Sequence, residues 1–152
     1  MTPLELYLEA QIPSGKNQIQ LSTRGGHIHK YPNKRFTAWR EQAATEILSQ
    51  VRGVPMIPKT TDIFLSILYH PLDRRVRDVS GMLDALFHLL MYTHILEDDG
   101  QIKGVYWSPS PLPTAPSWCV AMRLEAMGVA LTDDKEKFAV YLSSTTRSER
   151  TH

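Results

Sequence analysis

The sequence predicts a single α/β domain of the α+β kind, with a mixed sheet of about four strands flanked by two main helices. Two patterns indicate this fold: apolar residues alternate over short runs, as in half-buried strands, and recur at helical spacing over two longer runs. A chain of 152 residues is long enough for one core. The domain is expected over residues 1–130, with a charged and partly disordered tail at residues 131–152.

The predicted strands coincide with the short apolar runs. They lie at residues 4–10, 63–69, 101–107 and 118–126. Residues 19–34 are rich in basic and turn-forming residues, which predicts a hairpin or loop. Four prolines within residues 108–117 predict another loop. The predicted order is therefore strand, hairpin or loop, helix, strand, helix, strand, strand.

The two helices are predicted from apolar stripes and from their capping residues. The first should run from Thr37, as N-cap, to about Val51, because a glycine and a proline follow shortly afterwards. Its stripe contains Trp39, which we expect in the core rather than stacked on a base. The second helix should begin with Ser80 as N-cap and bury the apolar face that starts at Met82.

The composition excludes several classes of protein. No apolar run approaches the length of a membrane-spanning helix, and the first residues lack the basic start and long apolar segment of a secretory signal. We therefore expect a cytoplasmic protein with no membrane partner. The single cysteine, Cys119, excludes an internal disulfide and a cysteine-based zinc site, and we expect it in the core of a strand.

The net charge of +1 hides an asymmetry along the chain. Residues 14–77 contain eleven Lys or Arg and four Asp or Glu, whereas residues 78–152 contain six and ten. A basic half joined to an acidic half suits a protein that holds an anionic backbone next to a carboxylate metal site. The alternative is that folding interleaves the two halves and cancels the field.

Acidic residues bracket the second predicted helix, and arginines stand at its entrance. The arginines are Arg74, Arg75 and Arg77, and the acidic residues are Asp78 before the helix and Glu97, Asp98 and Asp99 after it. Mg²⁺ prefers carboxylate oxygens, and arginine suits phosphate contact, so the pattern indicates a phosphodiester-cleaving or phosphoryl-transfer centre. The alternative is that Asp78 caps a helix, that the later acidic residues form a turn, and that the arginines are solvated.

The same stretch carries a resemblance. Residues 74–84, followed by residues 98–102, resemble the signature of the RusA-like crossover junction endodeoxyribonucleases, small Holliday junction resolvases often carried by phages and prophages. Their pattern is an arginine-rich lead, D-x-D-N-x-x-K, a helix, and D-D-x-Q followed by Val or Ile. The resemblance extends to residues 12–17 and 123–128, and it spans roughly residues 4–128.

The resemblance implies an activity and a set of partners. It implies Mg²⁺-dependent hydrolysis of phosphodiester bonds in Holliday junctions, with Mn²⁺ as a substitute ion, in DNA recombination and repair. It also implies a homodimer, whose two symmetric sites would face two strands of the branched DNA.

Individual roles follow from the positions that match. The resemblance implies Asp78 and Asp99 as catalytic and metal-binding carboxylates, with Asp98 as a further metal ligand. It implies that Arg74, Arg75 and Arg77 position DNA phosphates, and that Lys16 and Asn17, which match an S-x-N-like element, reach the DNA, although a plain turn is the alternative there. Lys30, in the basic segment, is a further candidate phosphate contact.

The chain departs from the family pattern at three positions. Ser80 stands where the family has its second Asp, Gly81 where it has Asn, and Asp84 where it has the catalytic Lys. An aspartate cannot stabilise negative charge developing on a phosphate as a lysine can. The candidates to supply that positive charge from another direction are Lys103, Lys16 and Arg77.

Asp84 has two interpretations. It could replace the carboxylate missing at Ser80 as a catalytic metal ligand, because positions i and i+4 share a helix face, or it could pair with His88 on the surface. For the whole protein, two alternatives to the nuclease stay open. One is a catalytically degenerate member that binds junctions or other DNA, and the other is a small structural protein of an integrated phage element.

Overall fold

A computed structural model describes residues 1–13, 19–71, 78–110 and 116–128. Its elements, in chain order, are β1 (Leu4–Leu8), β2 (Ile19–Arg24), β3 (His27–Pro32), α1 (Lys34–Gln50), β4 (Ile63–Tyr69), α2 (Val79–Tyr92), a 3₁₀ turn (Asp99–Gln101), β5 (Ile102–Pro109) and β6 (Val120–Ala126). The prediction of one α+β domain with a mixed four-stranded sheet and two main helices is confirmed. The predicted tail at residues 131–152 lies outside the described residues.

The main sheet has the strand order β1–β6–β4–β5. Strands β1 and β4 each pair antiparallel with β6, whereas β4 and β5 are parallel. A parallel pair requires a crossover, and α2 lies within that crossover. The chain therefore runs along β4, returns through α2, and enters β5 beside the start of β4, where Ile102 is paired with Ile63.

Residues 19–34 form a hairpin, one of the two predicted alternatives. Strands β2 and β3 make a separate two-stranded antiparallel ribbon. Gly25 and Gly26 connect them with φ angles of 60° and 79°. Positive φ at both turn positions is what a tight hairpin of this length requires, and glycine adopts it without steric cost.

Helix α1 begins one turn earlier than predicted. Its N-cap is Asn33, whose Oδ1 accepts a 2.8 Å hydrogen bond from the backbone N–H of Arg35. Thr37, the predicted N-cap, lies inside the helix, where its backbone N–H and Oγ1 donate to the carbonyl of Asn33. Asn is at least as favourable as Thr at an N-cap, and the strand residue Pro32 precedes it. The prediction of Thr37 as the cap is therefore wrong.

The core lies between one face of the sheet and the two helices. Fully buried side chains from the sheet include Leu6, Leu8, Leu65, Ile67, Met122 and Leu124, and those from the helices include Ile47, Leu86, Leu89 and Leu90. Each such aliphatic side chain stabilises the fold by about 1.5–3 kcal/mol. Trp39 and Cys119 are also buried, as predicted, although Cys119 lies directly before β6 and not within a strand. Neither α1 nor α2, the two long helices of the described chain, has the length and apolarity to cross a membrane.

Candidate active site

Asp78 is the N-cap of α2. Its Oδ1 accepts a 3.3 Å hydrogen bond from the backbone N–H of Ser80, and the Oγ of Ser80 lies 3.1 Å from both carboxylate oxygens. The carbonyl of Asp78 also accepts the first helical bond, from Met82. The prediction of Ser80 as N-cap is wrong, because Asp78 already satisfies an N–H of the first turn. Capping uses only part of the acceptor capacity of a carboxylate.

Ser80 and Asp84 lie on the exposed side of α2. Both are exposed, and their i, i+4 spacing places them on one helix face. Asp84 follows Asp78 by six residues, which is about 9 Å along the helix axis. His88, one turn further, stands between the rings of Phe36 and Tyr92, at centroid distances of 5.3 and 6.1 Å.

An acidic loop, residues 97–101, precedes β5. Asp98 is the N-cap of the 3₁₀ turn, and its Oδ1 accepts a 3.2 Å hydrogen bond from the backbone N–H of Gly100. The side chains of Asp98 and Asp99 are exposed. The sequence prediction placed Gln101 in the following strand, whereas it closes the turn and β5 begins at Ile102. The alternative interpretation of the acidic residues as a turn is therefore correct for the backbone, and it leaves both carboxylates available to a ligand.

Gln101 holds this loop, and its role was not predicted. Its side chain is 2% exposed, and its Oε1 accepts hydrogen bonds of 3.1 Å from the backbone N–H groups of Glu97 and Asp98. Its Nε2 donates to the carbonyl oxygens of Pro58 and Thr61, at 3.0 Å each. A sequence signal existed, because an Asp followed three residues later by Gln is a form of capping box. The partners in residues 58–61 carry no such signal.

Asp78 comes directly before α2, and the acidic loop follows the helix. Asp78 is the N-cap of α2, whereas Asp99 follows the helix and lies just before Ile102, the residue paired with the first residue of β4. The helix rises about 20 Å from Val79 to Tyr92 at its usual rise per residue. Asp98, Asp99 and the exposed Lys103 therefore lie together around the start of β5.

The metal ligands remain a prediction. Within residues 1–13, 19–71, 78–110 and 116–128, no group of three or more His, Cys, Asp or Glu side chains is arranged to hold a metal ion. The predicted DNA-binding residues lie mostly outside these ranges. Lys16, Asn17, Arg74, Arg75 and Arg77 are outside the described residues, and Lys30 lies in β3 opposite Leu21 with a side chain that is also outside them.

A polar cluster joins α1 to α2 at the surface. The Oη of Tyr92 donates a 2.7 Å hydrogen bond to Oε1 of Glu41, and this bond raises the pKa of Tyr92 above 10.0. The guanidinium of Arg40 lies 4.3 Å from the centroid of the Tyr92 ring. Partial burial, and secondarily the charge of Arg40, lowers the pKa of His88 below 6.5. The cluster links the surface of α1 to α2, the helix that carries Asp78.

The fold and the site together define a class of protein. It is a small α+β domain that presents carboxylates at both ends of one crossover helix, with an arginine-rich segment leading into that helix. No protein-family model matches the chain. Among curated proteins, the chain is similar to the crossover junction endodeoxyribonuclease RusA of Aquifex aeolicus (strain VF5), with 28% identity over 106 residues, which cover 70% of this chain and 79% of that protein. This similarity confirms the resemblance to the RusA-like family.

Proposed function

We propose that the protein is a divalent-metal-dependent endonuclease that resolves Holliday junctions by symmetric hydrolysis of two phosphodiester bonds, in DNA recombination and repair. The observation that carries this proposal is the 28% identity, over 70% of the chain, to a crossover junction endodeoxyribonuclease. The structure supports it through the acidic loop, which keeps Asp98 and Asp99 exposed on a backbone tied to the sheet.

The donor set fits a hard divalent cation. Asp78, Asp98 and Asp99 would hold Mg²⁺, or Mn²⁺ in its place, since such ions take carboxylate oxygens from exposed sites and keep several waters. When bound, the ion would lower the pKa of water and stabilise charge on the phosphate. Lys103, exposed two residues beyond the 3₁₀ turn, would add positive charge beside the acidic loop.

The DNA contacts come from the basic half of the chain. Arg74, Arg75 and Arg77 would hold phosphates in bidentate contacts, and Lys16, Asn17 and Lys30 would add contacts to the backbone. Contacts of this kind position the DNA without reading its sequence. We therefore expect junction affinity to fall steeply with salt concentration.

A homodimer would complete the set of metal ligands. Within one copy, the described residues form no group of three or more possible metal ligands. In a two-fold dimer, Asp78 of one copy can meet the acidic loop of the second copy. Two identical sites then form, in keeping with the approximate two-fold symmetry of a four-way junction.

The test is a nicking assay on a labelled four-way junction. Purified protein is incubated with the junction in Mg²⁺, in Mn²⁺ or in EDTA, and a linear duplex of the same sequence is the control substrate. Paired symmetric nicks that need metal, occur on the junction alone and disappear in Asp78→Asn are the expected result. Metal-dependent cutting of the linear duplex at an equal rate would contradict the junction specificity.

A second candidate is a family member that binds junctions without cutting them. The observation in its favour is that the hydroxyl of Ser80 lies within 3.1 Å of both oxygens of Asp78, a position where the family pattern has a second carboxylate. Salt-dependent binding of the junction with no nicks in either metal would establish this candidate and exclude the nuclease.

A further inference from the structure

Every hydrogen-bonding position of the Gln101 side chain is used. A side-chain amide offers two donors and can accept two bonds, and Gln101 makes all four, each at 3.0 or 3.1 Å. All four partners are backbone groups. The carbonyl partners, on Pro58 and Thr61, lie just before β4, and the N–H partners, on Glu97 and Asp98, lie in the acidic loop. One side chain therefore connects the acidic loop to the start of the central strand.

Further bonds connect the same two segments. The backbones of Ile57 and Leu96 form a parallel bridge, and the N–H of Ile57 donates a 2.8 Å bond to the carbonyl of Ile95. The carboxylate of Glu97 accepts a 2.8 Å bond from the N–H of Lys59. Glu97 is therefore part of the anchor of the loop rather than a group that points to a ligand. The bonds of Gln101 fix the part of the loop nearest Asp98 and Asp99.

The carboxylates themselves depend on this backbone. Asp98 and Asp99 are exposed, so packing does not fix their direction. Asp98 makes a 3.2 Å hydrogen bond to Gly100 within the turn, and Gln101 accepts from the N–H of Asp98 in the same capping box. The direction in which the two carboxylates leave the loop is therefore set by the turn, and the turn is held in place by Gln101.

Neither glutamate nor methionine can make the four bonds of Gln101. Glutamate has the same shape but, when ionised, donates no hydrogen bond and would face the carbonyl oxygens of Pro58 and Thr61 with a negative charge. Methionine has a similar length but would leave all four backbone groups without this partner. Groups that orient the residues around a metal commonly control its affinity, because the ligands must already point the right way when the ion arrives.

We infer that Gln101 is the positioning residue of the proposed metal site, holding Asp98 and Asp99 in the orientation that binds the ion, an inference that rests on the proposed function. Because its amide is buried and fully engaged with backbone groups, Gln101 would act through the acidic loop and not by binding the metal or the DNA itself. Its loss raises the concentration of divalent metal that the protein requires, by about ten- to a hundredfold. The rate at saturating metal recovers, because the carboxylates are still present.

The test compares Gln101→Met and Gln101→Glu with Gln50→Met. Gln50 is a matched control, since its side-chain amide also bonds backbone groups, those of Tyr7 and Glu46, and lies on α1 away from the acidic loop. Two titrations are made on folded protein: Mn²⁺ binding, followed by the loss of its free-ion EPR signal, and junction nicking against metal concentration. Weaker Mn²⁺ binding and a higher half-saturating metal concentration in the Gln101 variants, with Gln50→Met unchanged, is the expected result.

Separate outcomes test the inference and the proposed function. Folded Gln101 variants that bind Mn²⁺ as tightly as the unchanged protein would show that Gln101 has a structural role alone. If no variant folds, hydrogen exchange is measured at the amides of Glu97 and Asp98 in the unchanged protein, with and without Mn²⁺. Amides that are unprotected, or that gain no protection with Mn²⁺, would overturn the inference. Protected amides that gain further protection with Mn²⁺ would support it. Absence of junction nicking by the unchanged protein would contradict the proposed function, while Mn²⁺ binding still reports on Gln101.

Discussion

The hydroxyl of Ser80 lies 3.1 Å from each carboxylate oxygen of Asp78, and the backbone N–H of Ser80 donates to the same carboxylate. The residue proposed to bind metal is therefore also the residue that begins α2. A substitution at Asp78 affects two properties at once, the stability of the helix and the charge of the site. These two effects can be separated, because the start of the helix needs only a hydrogen-bond acceptor, whereas the metal site needs a carboxylate.

We expect Asp78→Asn and Asp78→Ala to have different stabilities but the same loss of activity. Asn is as good an N-cap as Asp, so Asp78→Asn should leave the free energy of unfolding nearly unchanged, whereas Asp78→Ala should lower it by about 1 kcal/mol. Both substitutions remove the charge and should abolish metal-dependent nicking. Urea denaturation measures the first property and the junction assay measures the second.

Asp84→Ala is the control for the stability measurement. Asp84 is an exposed residue on the same helix and caps nothing in the described chain, so its removal should change the free energy of unfolding by less than that of Asp78→Ala. Equal destabilisation by Asp78→Asn and Asp78→Ala would mean that the carboxylate of Asp78 does not act as a cap.

Two inactive variants should complement each other if the site is shared between copies. Asp78→Asn and Asp99→Asn should each be inactive alone. A mixed dimer is formed by refolding the two variants together. It contains one intact pair, made of Asp78 from the Asp99→Asn copy and Asp99 from the Asp78→Asn copy. Random assembly makes half of the dimers mixed, so nicking on the order of a quarter of the unchanged protein's is expected, on one strand at a time.

The same experiment tests the alternative arrangement, in which the metal site is formed within one copy. If each copy built its own complete site, no mixed dimer would contain an intact one, and the mixture would stay inactive. Refolding each variant alone, at the same total concentration, controls for gains caused by refolding itself.

Gly104 is required for the packing of β5 on β4. A Cβ at Gly104 would lie 2.6 and 2.7 Å from two ring carbons of Phe64, the residue paired with it across the two strands. Gly104→Ala should therefore displace the Phe64 ring and lower the free energy of unfolding by about 1–3 kcal/mol. Gly128→Ala is the matched control, because nothing lies within 4 Å of the Cβ it would introduce. Equal denaturation midpoints for the two variants would contradict this packing.

The sequence predicted the architecture because each element carries its own local signal. Alternation in residues 63–69 and the apolar stripe of α2 are local patterns, and both elements form, β4 over the predicted residues. The helix starts were placed wrongly at Thr37 and Ser80 because acceptable caps, Asn33 and Asp78, stand a few residues earlier, and both kinds of residue suit the position.

The site was harder to predict because its geometry is not local. Gln101 acts through Pro58 and Thr61, about forty positions earlier in the chain, and nothing in the sequence around it identifies those partners. The predicted role of Asp78 and Asp99 as metal ligands also depends on the distance between the two carboxylates. Their distance depends on the path of the chain through α2 and on the parallel pairing of β4 with β5, which a spacing of residues along the chain does not reveal.

The pKa of His88 should depend on Arg40 and make the fold sensitive to acid. Its pKa is lowered from 6.5, first by partial burial and then by Arg40. As the pH falls below 6.5, the unfolded chain therefore binds more protons than the folded chain. The free energy of unfolding should decrease over that range, whereas above pH 6.5 the contribution of His88 is fully present. NMR titration of the imidazole should give a pKa below 6.5 that rises in Arg40→Gln.

Arg52→Gln is the control for charge, because Arg52 is exposed beyond the opposite end of α1 and should leave the titration of His88 unchanged. The stability effect is measured as the change in urea midpoint between pH 7.5 and pH 5.5, values about one unit on either side of the ordinary pKa. That change should be smaller in His88→Gln than in the unchanged protein, since glutamine binds no proton. An equal change in urea midpoint in both proteins would mean that His88 does not contribute to the acid sensitivity.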